Sequence, residues 1–192
     1  MYTINYPHRT SSNYGFTLIE LLIVVAIIAI LAAIAIPNFL TAQTRAKVAE
    51  SESAMRTITT GLESYAVDNN DYPYVGYITD YEQKLICLTT PVSYLASLPK
   101  YHWQPWQPFG APQPVKFYYY NDRKSHDDMV SGWGYPWTMF DPSDRRKWYL
   151  SCVGPDGDYD QAWDGTTPGS NYQLYDPTNG TISNGDLIRL GP

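Results

Sequence analysis

From Phe16 to Ile36 the chain reads FTLIELLIVVAIIAILAAIAI, an apolar run broken by Thr17 and Glu20. As a helix these roughly 21 residues extend about 31 Å, which matches the hydrocarbon thickness of a bilayer. Pro37 follows and is expected to kink or locally open the helix, because proline removes one backbone hydrogen bond and crowds the preceding turn. The pattern then changes. Val48, Met55, Ile58, Leu62 and Tyr65 recur at spacings near three, four and seven, predicting an amphipathic continuation whose apolar stripe packs on a globular head. Lys47, Glu50, Glu52, Arg56 and Glu63 fall to the opposite, solvated or intersubunit, face. Asp68-Asn69-Asn70-Asp71 with Tyr72-Pro73 ends the helix. One helix of about fifty residues is too long for a compact domain and suits a filament spine.

After Pro73 come short aromatic stretches punctuated by Pro and Gly, without a fixed repeat. A short helix is expected around Tyr81 to Leu88, and strands at Val115 to Tyr120, Lys147 to Cys152 and Asp186 to Leu190. Antiparallel pairing of these strands on the helix stripe makes an α+β fold, a long N-terminal helix on a small β-sheet head. The segments are then 1–15 before the apolar run, 16–36 as transmembrane helix, 37–70 as its amphipathic continuation and 71–192 as head.

The 192 residues suit one domain plus an anchor, and the net charge of -6 argues against a nucleic-acid partner, which needs a basic surface. Acidity grows toward the C-terminus, favouring a cation there. Cys87 and Cys152 lack zinc or thioredoxin spacing, so a disulfide between them and two buried free thiols both stay open.

Glu20 is the residue that asks for explanation, because an unpaired carboxylate a few residues inside an apolar span costs several kcal/mol. No Lys or Arg occurs between Gly15 and Arg45. A counterion must come from outside, or from cleavage after Gly15, which would create the α-amine of Phe16. The polar segment before the span carries His8 and Arg9, which the positive-inside rule keeps cytoplasmic, sending the head outward. A conventional secretory signal cut near Ala33-Ile34-Ala35 is the competing reading. It leaves Glu20 without a purpose, and its apolar run exceeds the usual ~7–15 residues.

Gly15-Phe16-Thr17-Leu18-Ile19-Glu20 and the aliphatic run after it resemble the cleavage and methylation motif of type IV prepilins and type II secretion pseudopilins. That resemblance implies a pilin-like fold, with 1–15 as the leader that a membrane peptidase removes after Gly15. It also implies N-methylation of Phe16 and neutralisation of a neighbouring subunit's N-terminus by Glu20, in a helical homo-oligomer built from the inner membrane by an assembly platform with minor pilins. Pro37 has a counterpart in the family. Tyr65 to Pro73, Leu98-Pro99 and Trp148 to Gly157 resemble the major pseudopilin's order of elements, whereas Tyr101 to Arg146 does not align with it.

Members of that family bind calcium in the C-terminal loop, where Asp156-Gly157 falls. Asp156, Asp158, Asp160 and Asp164 offer hard oxygen ligands at close spacing, without an EF-hand pattern; a solvated acidic turn is the alternative. Trp103, Trp106, Trp133, Trp137 and Trp163 suit either a glycan- or protein-binding groove or the packing of a small head. No consistent acid, base or nucleophile points to an enzyme. The expectation is a structural subunit of a secretion pseudopilus, with an adhesive or motility pilin and an anchored glycan- or substrate-binding module as alternatives.

Overall fold

The computed structural model describes residues 15–76, 83–103, 118–125, 127–128, 146–157, 174–178, 183 and 185–192. Its first helix, α1, is Leu18–Asn69, and a 3-10 helix follows at Gln83–Leu88. Strands β1 (Tyr119–Asp122), β2 (Trp148–Cys152) and β3 (Leu187–Leu190) form one antiparallel sheet in the order β1-β2-β3. The expected α+β class and element order hold. Two compact units divide the chain, Met1–Leu40 and Thr41–Pro192.

In the first unit every side of α1 is aliphatic and open, with Leu18 79% and Ile34 64% exposed. A helix apolar all round has no solvated face, and α1 is long and apolar enough to cross a membrane. Pro37 falls inside α1, which continues through it as one helix.

In the second unit α1 buries Val48, Ser51, Ala54, Met55, Ile58, Gly61 and Leu62, so the stripe read from the sequence is the packed face. Tyr65 is partly buried at its edge. Burying each large aliphatic side chain fully contributes roughly 1.5–3 kcal/mol. Facing it, strand alternation sends Trp148, Leu150 and Cys152 into the same core, while Tyr149 turns to the sheet's other side and meets the Tyr119 ring at 6.3 Å. The core close to Gly61 has no spare room: a Cβ there would lie 2.9 Å from Leu95 Cγ.

One charged position differs from expectation. Glu63 is half-buried, accepting hydrogen bonds from Tyr72 Oη at 2.9 Å and Trp148 Nε1 at 3.3 Å, and so ties the end of α1 to β2. The solvent face of α1 carries Thr57, Thr60 and Ser64, whose hydroxyls donate to the carbonyls of Ser53, Arg56 and Thr60 one turn back. The helix stops where Asn70 adopts a left-handed φ of 55°, a conformation asparagine tolerates better than most residues.

Candidate processing and assembly site

Gly15, Phe16 and Thr17 lead into α1 as exposed, non-helical chain. Thr17 is the residue before the first helical position, where a hydroxyl can hold orphan backbone amides. Its Oγ1 accepts from the Glu20 amide at 3.3 Å and donates to Glu20 Oε2 at 2.7 Å, while its own amide donates to the same Oε2 at 2.9 Å. This is a reciprocal capping box, Thr-x-x-Glu at the mouth of an apolar helix. It places the carboxylate at the positive end of the helix dipole. Sequence reasoning found Glu20 through its cost in lipid and missed Thr17, although the Thr-x-x-Glu spacing before an aliphatic run was the signal available.

Oε2 takes both bonds, and Glu20 Oε1 accepts none among the described residues. The carboxylate therefore has one oxygen fixed by its own chain and the other unbonded among the described residues. At Gly15 a Cβ would meet nothing within 4 Å, so the chain's own packing does not call for glycine there.

Residues 10–36 match the family model of the prokaryotic N-terminal methylation motif. The chain is a homologue of type IV pilins and of type II secretion core protein G. A homologue with wide coverage is the type II secretion system core protein G of Pseudomonas aeruginosa, 29% identical over 74% of this chain and 84% of its own length. The type IV major pilin of Myxococcus xanthus is 52% identical, over 31% of this chain and 27% of its own. The type IV wide pilus major component of Thermus thermophilus is 53% identical over 30% of this chain and 44% of its own. The chain thus spans less than half of these two pilins and most of protein G. No solved structure matches.

The remaining candidate residues of this chain belong to its second unit. Asp156 Oδ2 accepts the Gly185 amide at 2.9 Å, where Gly154 and Gly185 approach so closely that a Cβ on Gly154 would lie 2.1 Å from the Gly185 carbonyl oxygen. Asp158, Asp160 and Asp164 lie outside the described residues. Among the described residues no group of three or more His, Cys, Asp or Glu side chains is placed to hold a metal ion.

Both cysteines are free thiols, Cys152 buried and Cys87 half-buried. Cys152 Sγ lies 3.9 Å from Met55 Sδ in the core and Cys87 Sγ 3.7 Å from the Lys84 carbonyl, so each faces its own neighbour. Burial pushes the Cys152 thiol well above its ordinary range. Ser125 is fully buried, donating to Asp122 and accepting from the Val75 and Gly76 amides at 3.0 and 2.7 Å, which is a structural tie. His102 Nδ1 meets Glu50 Oε2 at 3.0 Å. Trp103 packs against the core, whereas Trp106, Trp133, Trp137 and Trp163 lie outside the described residues.

Proposed function

We propose that this chain is a structural subunit of a helical filament of the type II secretion pseudopilus or type IV pilus kind. The observation that carries the reading is the Thr17–Glu20 capping box at the start of an apolar, membrane-length helix, inside the residues that match the methylation motif. The subunit waits in the inner membrane with its head on the far side. A prepilin peptidase cuts after Gly15, Phe16 becomes the methylated N-terminus, and its α-ammonium meets Glu20 Oε1 of a neighbouring copy. Charge neutralisation in lipid is worth several kcal/mol, which drives pairing before further contacts form. The breadth of the match to protein G supports the secretion filament over a motility pilus.

Mass spectrometry of membrane-extracted protein tests this. An N-terminus at methylated Phe16 is expected, with Gly15→Ala accumulating as the uncut precursor; a start at Ile36, or normal maturation of the variant, refutes the processing scheme.

Calcium is proposed as a ligand of the C-terminal loop. The supporting observation is that Asp156, which opens the acidic segment in the sequence, is held in place by the Gly185 amide, next in the chain to buried Asp186, and both are hard oxygen donors. A ligand binding the folded head alone raises its melting temperature. Added calcium should do so where magnesium does not, and identical melting in calcium and in chelator would count against it.

A further inference from the structure

The second unit has an open cavity of about 400 Å³ where the exit of α1 (Asp71, Tyr72), the helical residues after β1 (Arg123, Lys124) and the residue before β2 (Lys147) meet. Its volume is that of a ligand site, but such sites are mostly apolar and this lining is charged. A charged surface of another macromolecule fits it better.

Several of its charges are already engaged. Arg123 Nε pairs with Asp127 at 3.5 Å, and Asp128 accepts from Tyr74 Oη at 2.9 Å. Lys124 Nζ lies 5.4 Å over the Tyr74 ring, which leaves its charge without a carboxylate at ion-pair distance among the described residues. Lys147 makes backbone bonds to Pro192 and Arg123 and has no carboxylate partner among the described residues. Asp71 accepts the neighbouring Tyr72 amide at 2.9 Å and meets no cation among them. Two ammonium groups and one carboxylate are therefore offered to a partner.

The complementary arrangement lies on α1 itself. Arg56 and Glu52, 67% and 45% exposed and 3.6 Å apart, present a guanidinium and a carboxylate side by side. They cannot reach their own cavity, because the helix from Arg56 to Asn69 alone rises about 20 Å. A second copy can supply them.

We infer that the Glu52–Arg56 pair of one copy docks in the cavity of the next, the glutamate against Lys124 and Lys147 and the guanidinium against Asp71. The inference rests on the filament reading. It joins two different surfaces, so the contact is heterologous and propagates as an open helical array or a ring instead of closing a two-fold dimer. Complementary charge of this kind fixes register between copies and penalises misplaced ones.

Charge exchange in cells that assemble the full chain tests it. Glu52→Lys and Lys147→Glu should each cut the yield of sheared filaments about tenfold, and the double variant should return to within about threefold of wild type. A double variant no better than its worse parent, beside normal wild-type filaments, overturns the contact and leaves the filament reading standing. Independently, Arg56→Cys with Asp71→Cys should give a ladder of oligomers with a short bis-maleimide in filaments and none in detergent-dispersed monomer, the single-cysteine variants correcting for Cys87 and Cys152. Filaments without a ladder overturn it too. Wild-type chain that builds no filament defeats both ideas.

Discussion

At Glu20 the fixed oxygen takes both its bonds from Thr17, so changing the threonine alters the carboxylate's surroundings while keeping its charge. Losing a capping side chain costs about 1 kcal/mol, equivalent to roughly fivefold in an equilibrium. Thr17→Val should therefore lower filament yield by about that factor, Glu20→Ala should lower it further, and Thr17→Ser should behave as wild type. All three should remain in the membrane fraction after carbonate extraction. A Thr17→Val strain as deficient as Glu20→Ala would mean that the hydroxyl does more than hold the carboxylate.

For α1 as an element, the periodicity argument succeeded because side chains three and four apart share a face, and Ile58 and Leu62 are completely buried as that spacing requires. Leu62→Ala should destabilise the head by about 2–5 kcal/mol in denaturant melts of the solubilised protein. Gly61→Val should fail at least as badly, since even a Cβ presses on Leu95. Equal stability of Gly61→Val and wild type would show that the Leu95 loop yields freely. Nothing in spacing announced Gly61, and nothing marked Glu63 as half-buried, because both facts depend on partners distant in sequence: Leu95, Tyr72 and Trp148. The strand positions Lys147 to Cys152 and Asp186 to Leu190 were legible within a residue of β2 and β3, where aromatic and branched residues are bounded by turn formers. The motif at Gly15 to Glu20 was legible as local chemistry, whereas the charged cavity was not, since helix exit, turn and strand meet only in the fold.

For the molecule as a whole, pH reports how the head is buried. Lys84, buried on the 3-10 helix, is pushed by desolvation from 10.5 down to about 8, against the pull of Asp122. Between those two values the unfolded chain binds the proton and the folded one does not, so stability rises with pH across that window. Burial raises the Tyr101, Tyr118 and Tyr120 phenols well above 10, so ionisation then favours the unfolded chain and stability falls at higher pH. Melting temperature should climb from pH 8 and turn down beyond about 10. Lys84→Met should abolish the climb and keep the fall; a retained climb would place its origin elsewhere. The outer side of α1 carries Thr57, Thr60 and Ser64. With Thr57, Thr60 and Ser64 each bonded to a carbonyl of their own helix, that side sheds water more cheaply than its lettering suggests. A hydropathy plot scores it as wet, yet whatever comes to lie against it meets the methyl groups of Thr57 and Thr60 and finds all three hydroxyl protons already committed.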